Sequence, residues 1–113
     1  METVNIQQNM NRDGFIVYSI DYVVNNEPGY IELFESEWNR SVIINTLIRT
    51  RYSQDRVEAI INNHFLAIGE WLEKKLAGSS EPFVDPDYDE LQNWRKLCKE
   101  WANEALTKYP SIY

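Results

Sequence analysis

The side chains best suited to acid–base or nucleophilic chemistry are the single histidine, His64, and the single cysteine, Cys98. An imidazole titrates near neutral pH and serves as a general base or as a metal ligand. His64, however, falls on the apolar stripe of a predicted helix, with no second histidine or cysteine near it in sequence. That stripe is expected to face inward, and it comprises Val57, Ile60, Ile61, His64, Ile68, Trp71 and Leu72. Cys98 lies between Trp94 and Trp101, where a free cysteine packs as a small apolar residue. Trp101 itself is expected to be buried against the helix that begins at Ser53. We expect structural roles for both.

The stretch DPDYDE, residues 85–90, is similar to the start of a calcium-binding loop, because acidic residues recur at every second position. Such a loop needs glycine at its sixth position and a bidentate glutamate at its twelfth. Those positions hold Glu90 and Lys96 here. The acids are instead expected in the first turns of a helix, where the helix dipole favours negative charge. The sequence predicts no metal site and no cofactor.

Three arginines, Arg49, Arg51 and Arg56, gather in the stretch RTRYSQDRVEAIINNHF, residues 49–65. They could grip a phosphate, but such a pattern is more often a solvated helix junction paired with surface acids. The chain has no glycine-rich phosphate loop, no nucleophile elbow and no His-Glu helix motif. We therefore predict that the protein is not an enzyme, with no catalytic residues.

The remaining candidates for function are aromatic, because four tryptophans are many for a chain of 113 residues. Aromatic side chains are enriched where proteins meet, although in a small domain most of them form the core. The candidate partner-binding residues are Trp38 and Trp71, together with Arg49 and Arg51. A protein partner is expected, with self-association as one form of it.

Charge and apolar content limit the classes of partner and the location that the sequence allows. Eighteen acidic against eleven basic residues give a net charge of -7, which argues against binding to nucleic acid or to an anionic membrane. No apolar run approaches the roughly 20 residues that cross a bilayer. The first residues lack the basic and apolar regions of a signal peptide, and one cysteine cannot form an internal disulfide, so a cytoplasmic protein is expected.

The folded part of the chain is expected to begin near residue 14. Residues 1–13 are polar and without periodicity, and they are expected to form a flexible N-terminal arm. Residues 15–34 predict two antiparallel strands, with Pro28 and Gly29 at the centre of a type II turn. Apolar residues alternate along the first strand, at Ile16, Tyr18, Ile20, Tyr22 and Val24.

Helices are expected to cover the hairpin, because a hairpin alone is marginally stable in water. Apolar residues at helical spacing predict three of them, over residues 37–50, 53–77 and 86–108. Their candidate N-caps are Ser36, Ser53 and Asp85. The sequence thus predicts an α+β domain over residues 14–113, a short hairpin packed on two or three helices.

Two parts of the chain resemble small, largely uncharacterised proteins encoded by bacteriophages and prophages. An Arg-Tyr-Ser stretch leads there into a helix with Ala-Ile-Ile-Asn-Asn, and an acidic-aromatic stretch leads into a Trp-Arg helix. The resemblance covers less than half of the chain and implies an accessory or assembly role, with no catalytic residues. The residues that carry it are Arg51, Tyr52, Ser53, Ala59, Ile60, Ile61, Asn62, Asn63, Tyr88, Trp94, Arg95 and Lys99.

The function expected from the sequence is a non-enzymatic protein-binding or assembly accessory protein of a phage or mobile element. It would act in the cytoplasm of a bacterial host cell or in association with the virion. The alternative is an acidic inhibitor that imitates nucleic acid and occupies a basic cleft of a host protein. A third class, a small hydrolase or transferase, would require a pocket with converging polar groups.

Overall fold

A computed structural model describes residues 2–112, and Met1 and Tyr113 lie outside the described residues. It confirms the α+β prediction of an antiparallel sheet packed on helices. A short 3-10 turn, Glu35–Glu37, links the sheet to the first helix. The elements are β1 (Glu2–Met10), β2 (Ile16–Val24), β3 (Glu27–Phe34), α1 (Arg40–Arg49), α2 (Gln54–Leu76) and α3 (Pro86–Lys108).

The expectation of a flexible arm over residues 1–13 was wrong, because Glu2–Met10 forms β1 and pairs with β2. The sheet has the order β1-β2-β3, with both pairings antiparallel. Sequence periodicity missed this strand because one residue of it, Ile6, is fully buried and most of the others are exposed. The ladder to β2 and a hydrogen bond from Lys108 Nζ to the Ile6 carbonyl (2.8 Å) hold it in place.

The hairpin turn also differs from the sequence prediction, which placed it at Pro28 and Gly29. Both residues lie inside β3, opposite Val23 and Tyr22. The turn is formed by Asn25 and Asn26, with φ values of 52° and 66°. Asparagine tolerates this left-handed region, and a two-residue turn of this kind matches the twist of the flanking strands. Pro28 is accommodated because β3 lies at the sheet edge.

The core lies between the inner face of the sheet and the helices α1 and α3. Tyr22 of β2 stacks on Trp101 of α3, with ring centroids 4.9 Å apart, and its hydroxyl bonds Thr50 Oγ1 at the end of α1 (2.5 Å). The helical side of the core comprises Ile43, Ile44, Leu47 and Ile48 of α1, and Leu91, Trp94, Cys98, Trp101, Ala102 and Ala105 of α3.

The helix starts agree with the sequence at two of three caps. Ser53 and Asp85 cap α2 and α3 by accepting hydrogen bonds from the Arg56 and Tyr88 amides. The first cap was wrongly assigned to Ser36, since Asn39 accepts the hydrogen bond from the Val42 amide instead. Asparagine and serine serve equally well as caps, and the intervening 3-10 turn delays the start of the helix.

α2 makes the molecule long. Its 23 residues span about 34 Å, yet its buried residues, Val57 and Ile60, both lie near its start. The molecule measures 65 × 28 × 22 Å with a radius of gyration of 18.4 Å, against about 13 Å for a compact chain of this length. The second part of α2, residues 61–76, therefore projects from the domain and is called the arm below. Of the helices within residues 2–112, none has the length and apolar character needed to cross a membrane.

Candidate functional site

The junction between α1 and α2 borders a groove of about 1030 Å³. It is lined by the start of β1, the β2–β3 turn, the junction residues and α3 as far as Glu100, so four parts of the chain that are distant in sequence meet there. Its charged lining is mixed, with Arg51, Arg56 and Lys96 against Glu2, Glu27, Asp89, Glu90 and Glu100. Because the acids outnumber the bases, the groove does not offer the concentrated positive charge that a phosphate site needs.

Arg51 is held in this groove by the chain itself. Its guanidinium lies 4.4 Å from the centre of the Trp94 ring, a cation–π distance. It also donates to the Val24 carbonyl (3.2 Å) and approaches the Glu27 carboxylate (3.5 Å). The Trp94 indole nitrogen is buried without a hydrogen-bond partner, so this ring contributes packing. Arg51 therefore ties the helix junction to the β2–β3 turn, which is a structural role.

Ser53 acts at the same junction as a helix cap, with its hydroxyl oxygen 3.1 Å from the Arg56 amide nitrogen. Ser53→Ala is expected to lower the free energy of unfolding by about 0.5 to 2 kcal/mol, because an amide at the helix start loses its acceptor. Ser53→Asp keeps an acceptor and should cost much less. Urea denaturation of the three proteins measures the difference. If both variants unfolded like the parent but lost a binding partner, the junction would be a functional surface instead.

His64 belongs to a second cluster, between α2 and the start of α3. Its Nδ1 lies 2.9 Å from Asp85 Oδ2, and its ring stacks on Tyr88 at 3.5 Å. Phe83 completes the surroundings, with its ring centre 5.5 Å from that of His64. A carboxylate can orient a catalytic imidazole, but Tyr88 contacts it by ring stacking and Phe83 offers only its ring edge, so the hydrogen bond of the imidazole goes to the capping carboxylate and not to a nucleophile. The pair fastens the base of the arm to α3.

The acids of residues 85–90 lie where the sequence analysis expected them. Asp85 is the N-cap of α3, and Asp87 and Asp89 lie in its first turn. Within the part of the chain that the structure describes, no group of three or more His, Cys, Asp or Glu side chains could hold a metal ion.

Cys98 is fully buried in the core, and burial raises the pKa of its thiol to about 12. Because the reactive species is the thiolate, Cys98 should not react with a disulfide reagent at mildly alkaline pH unless the protein unfolds. Ellman's reagent, with and without denaturant, measures this. Because the pKa of this thiol is higher in the folded protein than in the unfolded chain, its contribution to stability is fully present at neutral pH. The contribution declines as the pH rises above the ordinary pKa of a cysteine thiol. Rapid labelling of the native protein would contradict the burial.

The four candidate partner-binding residues do not form one site. Trp38 is 1 % exposed, stacks on Tyr18 at 4.5 Å and donates from Nε1 to a backbone carbonyl. Its assignment to a partner surface is therefore incompatible with the structure, because the side chain is core. Arg49 is exposed and contacts Gln54, while Arg51 is held in the groove. Trp71 is half-buried on the arm.

One side of the arm is covered by the chain that returns from its tip. Gly78, with a φ of +99°, ends the helix, and the Trp71 indole nitrogen donates to the Glu81 carbonyl (2.8 Å) on the returning segment. The Phe83 ring lies 5.8 Å from that of Trp71. These contacts account for the inward stripe that the sequence predicted, from Val57 to Trp71.

The adjacent side of the arm is apolar and uncovered. Leu76 is 90 % exposed, Leu66 68 %, Phe65 66 % and Leu72 46 %. These four residues are called the outer face below. From the sequence, Leu72 was expected to face inward, and the other three were not identified. The sequence does contain a signal for this face. In residues 65–68 (FLAI) and 71–76 (WLEKKL), the apolar residues cover more of the helix than one stripe.

Comparisons of the chain with protein-family models, with curated proteins and with solved structures found no match.

Proposed function

We propose that the protein is a non-enzymatic binding component, an accessory or assembly factor, which contacts a protein partner through the outer face of α2. The observation that carries this proposal is the exposure of Phe65, Leu66, Leu72 and Leu76 on one projecting helix. Four large apolar side chains on neighbouring turns leave a patch on the order of 500 Å² in water, at the upper end for a monomer. Patches of that size usually mark interaction sites.

The shape of the molecule supports the same reading. The arm is fastened at its base by the His64–Asp85 contact and along one side by Trp71 and its carbonyl partner. It is therefore held as a helix while its other side is left free. A preformed amphipathic helix binds without a large ordering cost, which favours recognition of an apolar groove or of another helix.

The alternatives have less support. An acidic mimic of nucleic acid needs an unbroken acidic face, whereas the acids around the groove at the α1–α2 junction are mixed with Arg51, Arg56 and Lys96. A hydrolase or transferase needs converging reactive groups, whereas Cys98 is buried and His64 faces aromatic rings and a capping carboxylate. These observations favour a protein-binding role over a catalytic or nucleic-acid-mimicking one.

The resemblance of residues 51–63 and 88–99 to small phage and prophage proteins indicates in which kind of organism or element the protein would act. The component would serve a virus or mobile element, in the cytoplasm of a bacterial host cell or on the virion.

The proposal is tested by affinity capture from a bacterial host lysate, using the tagged parent and two matched variants. Leu72→Glu places a charge on the outer face, and Asn45→Glu places the same charge at an exposed asparagine of α1, away from that face. The parent and Asn45→Glu should retain the same partner, identified by mass spectrometry, and Leu72→Glu should lose it. Equal retention by all three proteins would refute the outer face as the binding surface.

A further inference from the structure

We infer that the outer face binds a second copy of this chain, with two arms packed antiparallel about a two-fold axis near Gly69. The inference rests on the proposed function and names its partner. A two-fold interface uses the same surface on both copies, so the surface must be complementary to itself.

The spacing of the apolar residues meets this requirement. On the exposed side of the arm they are Phe65, Leu72 and Leu76. Phe65 and Leu72 lie at equal distances from a midpoint between Ile68 and Gly69. In an antiparallel pair centred there, Phe65 meets Leu72 of the other copy, and Leu76 reaches the base of the other arm beside Ile61, which is partly buried against the core. Each Phe65–Leu72 layer thus combines one large apolar side chain from each chain, as in a helix pair with interlocking side chains.

Gly69 supplies the close approach at the centre. Glycine is unfavourable inside a helix, and no atom lies within 4 Å of the position that a Cβ would occupy on Gly69. Packing within the chain therefore gives no reason for glycine here. In the antiparallel pair the open space receives Ile68 of the other copy, which lets the two helices approach closely.

The area and the charge of the arm are compatible with pairing. Two outer faces together would bury on the order of 1,000 Å², the lower limit for a specific interface, so a dissociation constant in the micromolar range is expected. The chain carries a charge of -7, which opposes association in general. Along the arm, however, Glu70 and Glu73 are balanced by Lys74 and Lys75, so the paired segments do not repel.

The test is sedimentation velocity over a range of concentrations that spans the micromolar region. The parent and the control Asn45→Glu should shift from monomer to dimer with the same dissociation constant. Leu72→Glu should raise that constant by at least about 30-fold, because the charge would be buried without a partner. Leu72 is half-exposed in the monomer, so this variant should fold, which circular dichroism checks.

Gly69→Ala separates pairing from helix stability. Alanine should raise the melting temperature of the dilute monomer, since it is the better helix former. The same change should weaken dimerisation, because the added methyl group occupies the space proposed for Ile68. A variant that is more stable and dimerises as well as the parent would contradict the close approach.

Cysteine cross-linking tests the orientation, since the native Cys98 is buried. The double variant with Phe65→Cys and Leu72→Cys should form a disulfide-linked dimer on oxidation, and Leu72→Cys alone should not. Cross-linking by the single variant would show a parallel pair and overturn the inference. A parent that stays monomeric at every concentration would also overturn it. Loss of the captured partner by Leu72→Glu would then still support the proposed function, so the two failures are distinguishable.

Discussion

Trp101→Ala is expected to lower the free energy of unfolding by about 3 to 5 kcal/mol, the usual range for truncating a buried tryptophan. Trp101 is 4 % exposed and stacks on Tyr22, with Trp94 at 5.7 Å edge to face. The sequence predicted that it is buried against the helix beginning at Ser53. Its burial is confirmed, and the aromatic rings that it contacts are those of Tyr22 on β2 and Trp94 on α3. Its loss would therefore loosen the sheet from the helices.

The matched control for this variant is Trp71→Ala on the arm. Trp71 is half-buried and contacts the returning segment, so its truncation should cost about 1 to 2 kcal/mol. Guanidinium denaturation followed by far-ultraviolet circular dichroism compares the two variants. An unchanged denaturation midpoint for Trp101→Ala would mean that this tryptophan does not form part of the core.

Gly29→Ala should destabilise the protein by about 3 kcal/mol, and more if the sheet cannot shift. A Cβ at Gly29 would overlap the ring of Tyr22 on the neighbouring strand. The ring cannot swing aside easily, because it stacks on Trp101 and its hydroxyl is bonded to Thr50. Glycine is therefore required at this position of β3 by the packing of its neighbour.

Two comparisons isolate that overlap in thermal melts. Gly69→Ala is the same substitution with open space around it, and it should not destabilise the monomer. Combining Gly29→Ala with Tyr22→Ala should cost less than the sum of the two single changes, because the overlap is gone. A Gly29→Ala protein that melts with the parent would contradict the packing of Tyr22 over β3.

The helices were predictable because several independent local signals agree at each of them. Ser53 and Asp85 are capping residues followed by acidic first turns, and each precedes a long apolar stripe. No comparable set of local sequence signals marks the strand β1. Its polar residues pair through their backbones with a strand that the chain reaches only after a turn, and such pairing leaves little trace in side-chain type.

The hairpin turn was missed because two turn signals stand side by side. Pro28 and Gly29 fit a type II turn, and Asn25 with Asn26 fits the tighter turn that joins two twisted strands. The register of β2 and β3 decides between them, since it places Gly29 under the ring of Tyr22. That choice depends on packing between strands and cannot be derived from the turn residues alone.

The candidate binding surface was only partly predictable. A helical stripe shows which residues share a side, and it placed Leu72 among residues expected to face inward. Whether that side meets the core depends on how far the domain extends beneath the helix. Here the core ends near Ile60, and the rest of the stripe is covered by residues 79–85. The opposite happened with Trp38. It was a candidate for a binding surface, but its side chain is buried in the core and stacks on Tyr18.

Hydrogen–deuterium exchange tests most directly which surface binds protein. It would be followed by mass spectrometry on the dilute protein, the concentrated protein and the protein with its captured partner. We expect slower amide exchange across residues 61–76 when the protein is concentrated or bound, with little change at the helix junction, residues 49–56. Protection at that junction and along the groove beside α3, with unchanged exchange in residues 61–76, would contradict it.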